Sequence, residues 1–158
     1  MSKFRRHYPP LGSPPGHLVG ATQASPTVAT HFLVEGGKAT ETPFGSLEEL
    51  TSIPSSDGLH WIDVQGLADI KGLQNLGERF GLDALVMSDV VNIGQRPKLE
   101  KYEGDVFVVL RRSYVNGDGE LAFEQITFSS ARAWSSASRK IQGTAYWRFV
   151  NACARVPC

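Results

Sequence analysis

The stretch Leu85–Val115, LVMSDVVNIGQRPKLEKYEGDVFVVLRRSYV, decides how the rest of the chain is read. Asp83, just upstream, is placed to cap a short helix through ALVMSDVV, with Leu85, Val86 and Val90 facing inward. One acidic residue, Asp89, interrupts that otherwise apolar turn. Arg96 precedes Pro97, whose ring disfavours helical geometry at the residue before it, so the chain must leave the helix there. KLEKY and DVFVVLRRSYV then read as two strands separated by Glu103-Gly104, and the turn NGDG leads into a third strand, LAFEQITF. The strands form a β-meander.

Working outward, the elements before this stretch are equally marked. TVATHFLVEGGKATETPF places β-prone residues on either side of Gly36-Gly37, two strands around a turn. SLEEL, with Ser46 as N-cap and Glu49 three residues on, has the capping-box pattern and predicts a short helix over 47–52, stopped by Pro54. LHWIDVQGL is a compact apolar strand closed by Gly66. Ile70, Leu73, Leu76 and Phe80 then share one helical face, and Gly81 is placed to end that helix. Strands, then helices, then strands predict an α/β domain with a mixed central sheet.

At 158 residues the chain is long enough for one domain and short for two. Its 41% apolar and 20% charged residues are those of a soluble globular protein. Net charge is zero, which gives no reason to expect nucleic acid or an anionic membrane as partner, but the balance is uneven. Residues 129–158 hold five Lys or Arg and no carboxylate, so the first 128 carry −5. The longest apolar run, Val106–Leu110, is far short of the roughly 20 residues of a spanning helix. The Pro/Gly-rich start, residues 1–16, reads as a flexible basic leader without the apolar stretch of a signal peptide. Both cysteines, Cys153 and Cys158, lie in the last six residues, where they cannot staple the main body. These features suggest a cytoplasmic chain.

Enzyme chemistry is hard to place. There is no Gly-rich phosphate loop, no paired-cysteine spacing and no helix with two zinc-binding histidines. His7, His17, His31 and His60 are scattered over regions of different character. NGDGE imitates a calcium loop through Asn116, Asp118 and Glu120, but Leu121 and Thr127 stand where the loop needs Gly and Glu, so a hairpin turn explains it better. Asp63, at the end of a strand beside Trp61, has no partner acid, base or metal ligand in view and is read as bonding backbone amides of the next turn. Arg111 and Arg112 are adjacent on a strand and point to opposite faces, one of them against a carboxylate.

Several phrases line up in order: PPGHLV, WIDVQGL, LGERFGL, LVMSDVVNIGQRPKLEKYEGDVFVVLR and FEQITF. From about Pro14 to Phe128 they resemble the cytoplasmic N-terminal domain of the CorA-type magnesium and cobalt transporters. The resemblance implies a layered α/β/α domain with a mixed central sheet, here incomplete at the C-terminus. It implies a non-enzymatic subunit of a pentameric, inner-membrane ion channel, in which a regulatory cation between neighbouring cytoplasmic domains holds the pore closed. Asp89 matches the acidic position that helps hold this Mg²⁺; Ser88 replaces a second acid often found there, and Asp83 is a weaker candidate ligand. One or two carboxylates holding a partly hydrated Mg²⁺ make a weak, reversible latch. Gln95, Arg96, Pro97 and Lys98 are expected to tie the helix–strand crossing together, with Pro97 breaking the helix.

The departure comes after Phe128. The family continues into a long helix and two membrane helices, whereas residues 129–158 change abruptly in charge and serine content and show no clear period. The expected organisation is a leader (1–16), a CorA-like domain (17–128) and an aberrant, disordered tail (129–158) of the kind a frameshift produces. The expected role is that of a truncated transporter subunit that cannot form a pore alone. Its partners would be copies of itself or full-length subunits. The alternatives are a stand-alone module binding divalent cation or transporter subunits, and an unrelated small enzyme using Asp63 or Asp89. Missing neighbours would leave apolar surface exposed on the sheet built by DVFVVL and FEQITF, and with it a tendency to self-associate.

Overall fold

The β-prone residues around Gly36-Gly37 form the first hairpin. Strand β1 (Val28–Glu35) pairs antiparallel with β2 (Lys38–Phe44), Glu35 opposite Lys38. On its other side β1 pairs antiparallel with β3 (Leu59–Gln65). The computed structural model describes residues 10–13, 17–18, 25–52, 58–102, 105–115, 117–132 and 144–151. Gly66 closes β3 with φ at 80°, and a Cβ there would lie 2.1 Å from the Pro26 carbonyl oxygen. Only glycine allows both that backbone and that approach. The segment 25–27 is thereby held against 66–69, where the Asp69 amide donates to Thr27 Oγ1 at 2.9 Å.

The predicted helix at SLEEL forms as a 3₁₀ turn, Glu48–Ser52, in which the Ser46 hydroxyl donates to Glu49 Oε1 at 3.2 Å. Helix α1 (Ile70–Arg79) is capped by Asp69, whose Oδ1 accepts from the Gly72 amide at 2.8 Å. It ends as expected at Gly81, with Leu82 N donating to Gly77 O at 2.9 Å. Helix α2 (Ala84–Val91) is capped by Asp83, whose Oδ1 accepts from Leu85 N at 2.7 Å, a bond worth about 1 kcal/mol. Two details of α2 depart from expectation. Its buried stripe is Val86, Met87, Val90 and Val91, which leaves Leu85 on the outside at 57% exposure. The helix also stops at Asn92, five residues before Pro97, so the proline does not break it. Asn92 takes extended backbone and its Oδ1 accepts from Gly94 N at 3.3 Å, which turns the chain locally.

The meander forms as predicted: β4 (Lys98–Tyr102), β5 (Asp105–Val115) and β6 (Leu121–Arg132) pair antiparallel in sequence. Glu103-Gly104 and Asn116, read as turn residues, lie outside the described residues. Strand β6 does not end at Phe128 but runs four residues further. A last strand, β7 (Thr144–Asn151), lies parallel to β3 and antiparallel to β6. Two three-stranded antiparallel units, β2-β1-β3 and β6-β5-β4, are thus joined by β7 into one mixed sheet. Part of the segment read as a disordered tail is therefore a strand in the middle of the sheet, and 133–143 and 152–158 lie outside the described residues.

The core lies where one sheet face meets the helices. Ala29, Ile62, Val64, Phe107 and Val109 pack there with Leu47, Leu50, Leu73, Leu76, Val86 and Val90. Strand alternation sends Trp61 and Phe128 to the other face, where their rings meet edge-on with centroids 6.0 Å apart. The architecture is mixed α/β. No helix among the described residues is long and apolar enough to cross a membrane.

Candidate cation site

Asp89 sits in the last turn of α2, facing the start of β4. Its Oδ2 accepts from Lys98 Nζ at 2.5 Å and its Oδ1 from Gln95 Nε2 at 2.7 Å. Lys98, Glu100 and Tyr102 alternate along β4 and so share one side of it. The same ammonium therefore reaches Glu100 Oε1 at 2.9 Å, while Glu100 Oε2 accepts from the Tyr102 hydroxyl at 2.8 Å. The Lys98 nitrogen also stands 5.7 Å from the centroid of the buried Phe107 ring. Two carboxylates thus converge on one cationic nitrogen, in a partly open setting where Asp89 is 20% and Lys98 27% exposed.

Gln125 on β6 anchors this cluster from below. Fully buried, it donates through Nε2 to the Asp89 carbonyl at 3.2 Å and the Asn92 carbonyl at 3.4 Å. Its Oε1 accepts from Gln95 N at 3.1 Å. One side chain thereby satisfies two carbonyls at the helix end, which have no partner within the helix itself. Arg111 Nη2 adds a bond to the Gln95 carbonyl at 3.1 Å. Of the four residues assigned to this crossing, Gln95 and Lys98 bond the Asp89 carboxylate, while Arg96 and Pro97 are exposed.

Burial pulls the Lys98 ammonium down, but its hydrogen bonds to Asp89 and Glu100 outweigh that and hold its pKa above the usual lysine range. The bond from Lys98, seconded by Tyr102, holds the Glu100 carboxyl below its ordinary value. The bond to Glu100 pushes the Tyr102 hydroxyl up.

The other candidates fall elsewhere. Asp83 is the α2 cap, six residues before Asp89 and about 9 Å away along the helix axis, so the two do not face one ion. Asp63 lies within β3 rather than at its end; it is buried, and its Oδ2 accepts from Gln65 Nε2 at 3.1 Å. Arg111 and Arg112 do take opposite faces, and Arg112 Nε lies 2.6 Å from the buried Glu124 Oε1, its cross-strand partner. His31 and His60, separate in sequence, meet across β1 and β3 with Nε2 and Nδ1 3.0 Å apart and rings nearly parallel. Their nitrogens bond each other, and burial together with His60 pushes the His31 pKa down to about 4. Among the described residues, no group of three or more His, Cys, Asp or Glu is placed to hold a metal.

Sequence reasoning missed Glu100, Tyr102 and Gln125. Lys98, Glu100 and Tyr102 carry a visible signal, polar and charged groups at a strand period of two. Gln125 carries none, because its contacts lie 30 to 36 residues away. Chemically, Asp89 and Glu100 suit a hydrated Mg²⁺, which keeps several waters and uses one or two carboxylates. They do not make a closed all-protein cage.

No family model matches the chain. A 68-residue stretch, 42% of the chain, is 40% identical to the cobalt/magnesium transport protein CorA of Thermotoga maritima. That match spans 19% of the length of the curated relative. The fold is similar to the structure of the full-length CmaX protein, with a TM-score of 0.51 over 82% of this chain and 37% of that one. At 13% identity this is a likeness of fold alone. Over the 68 matched residues the chain is CorA-like.

Proposed function

We propose that this chain is the cation-sensing part of a CorA-like magnesium and cobalt transport protein, a non-enzymatic role. In this reading Asp89 takes up a partly hydrated Mg²⁺ at a contact between copies of the chain, and the layered α/β/α arrangement and the membrane setting come with the family. The observation that carries it is the 40% identity to CorA over 68 residues. The geometry around Asp89 supports it, since a carboxylate on a helix surface, aimed by Gln95 and accompanied by Glu100, is what a weak cation latch requires. A bound Mg²⁺ would supply two positive charges shared between carboxylates of neighbouring copies. Gln95 would keep Oδ1 oriented, Asp89 Oδ2 and Glu100 Oε1 would face the ion or its waters, and Gln125 would hold the helix end in register with β4.

Mg²⁺-dependent association follows directly. In sedimentation velocity, millimolar MgCl₂ should raise the sedimentation coefficient of the chain, and the Asp89→Asn variant should stay at its Mg²⁺-free value. A wild-type chain that sediments as the same monomer with and without MgCl₂ would count against this function.

A further inference from the structure

We infer that Lys98 is a tethered competitor for the cation site: its ammonium holds the Asp89–Glu100 carboxylate pair when no divalent ion is bound, and it must leave before Mg²⁺ enters. The inference rests on the reading of Asp89 as a cation ligand and adds the device that keeps its affinity low.

Four observations converge on it. First, all four oxygens of the pair have donors, and they divide cleanly into two sets. Gln95 holds Asp89 Oδ1 and Tyr102 holds Glu100 Oε2, whereas Lys98 alone spans the remaining two, Asp89 Oδ2 and Glu100 Oε1. If the ammonium leaves, the orienting bonds stay, and the two freed oxygens face the point it occupied. Second, that point lies 2.5 Å from one oxygen and 2.9 Å from the other, so both oxygens already converge on a single cationic position, and a directly ligated Mg²⁺ there would draw them in to about 2.1 Å. Third, Lys98 can leave. It is 27% exposed, its four-carbon stem is flexible, and beyond the two carboxylates its ammonium rests over the face of Phe107. Fourth, the charge count favours exchange. With Lys98 in place the three side chains sum to −1; without it the carboxylates present −2 to the incoming ion.

Competition and mere structural support predict opposite signs, which makes the test decisive. Lys98→Gln keeps a neutral donor within reach of both carboxylates and removes the positive charge. If Lys98 competes, calorimetric titration of MgCl₂ into the full 158-residue chain should show Lys98→Gln binding at least about tenfold more tightly than wild type, a difference of about 1.4 kcal/mol. Lys98→Arg should bind as wild type does, and adding Asp89→Asn to Lys98→Gln should abolish the gain. Binding by Lys98→Gln but not by wild type supports the inference as well. Equal or weaker binding in a Lys98→Gln chain whose circular dichroism is unchanged overturns it.

The two levels of the account fail differently. If Asp89→Asn alone abolishes Mg²⁺ binding but Lys98→Gln does not tighten it, only the competitor role falls. If Asp89→Asn binds as tightly as wild type, or no form binds at all, the cation-site reading falls with it. Should Lys98→Gln fail to fold, the wild-type chain serves: on ¹⁵N-lysine labelling, saturating MgCl₂ should move the Lys98 ammonium resonance to the position of free lysine side chains. A resonance that stays put overturns the proposal.

Discussion

Replacing Phe107 by alanine is expected to cost the fold about 3–5 kcal/mol. Phe107 lies in the interior of β5 between Glu100 on β4 and Ser129 on β6, and it is the largest fully buried side chain among the described residues. Its removal takes away the transfer free energy of a whole ring and leaves a cavity that strands fixed on both sides cannot close. Domains of this size have about 5–15 kcal/mol in total, so the variant should be near its limit of stability. The site would suffer too, because Lys98 loses the ring face over which its ammonium is held. Urea unfolding of Phe107→Ala against Leu99→Ala isolates the effect. Leu99, on the outer side of β4 and 62% exposed, should cost no more than about 0.5 kcal/mol. A loss below about 1 kcal/mol at Phe107 would mean that the core is not assembled around β5.

Acid should weaken the fold through His31. The ring is buried in contact with His60, and its pKa is pushed down to about 4 from an unfolded value of 6.5. Above pH 6.5 the imidazole is neutral in both states and its contribution is fully present. As the pH falls from 6.5 through 4, the unfolded chain takes up a proton that the folded chain refuses, so stability drops with each unit. The total lost is about 3 kcal/mol. His31→Gln, neutral at every pH and able to bond His60, removes this slope while leaving the carboxylates of the chain as they are. Chemical denaturation at neutral pH and near pH 4 should therefore show wild type losing about 3 kcal/mol more than the variant. Equal losses would mean that His31 is not held neutral in the folded chain.

Local signals in the sequence located most elements, and non-local ones escaped. The Asp83 cap, the Leu73–Leu76 face of α1, the Gly36-Gly37 turn and the β4-β5-β6 meander are each written in a few neighbouring residues. The helix through ALVMSDVV ends at Val91 as expected, but Pro97 is not what ends it: Pro97 constrains only Arg96, while Asn92 ends the helix through its own backbone and side chain. Strand β7 was missed because TAYWRFVN does not alternate, and a strand flanked on both sides by others need not. Its aromatic and β-branched residues were the available signal.

The site divides the same way. Asp89, Gln95 and Lys98 were singled out in the sequence, and the structure adds what each one does: an acceptor aimed by an amide and held by an ammonium. The meeting of His31 with His60, 29 residues apart, depends on the register between β1 and β3, which no short pattern encodes. Glu100 was readable from its alternation with Lys98 and Tyr102, once β4 was known to turn that side toward α2.

The most direct test of the central claim is an NMR titration of the ¹⁵N-labelled chain with MgCl₂, following backbone amides residue by residue. The account predicts saturable shifts concentrated at Asp89, Gln95 and Lys98 to Tyr102, reaching Gln125 through its bonds to the helix end. Shifts confined to other acidic residues, such as Glu48, Glu49 or Asp118, or no saturable shift at all, would contradict it.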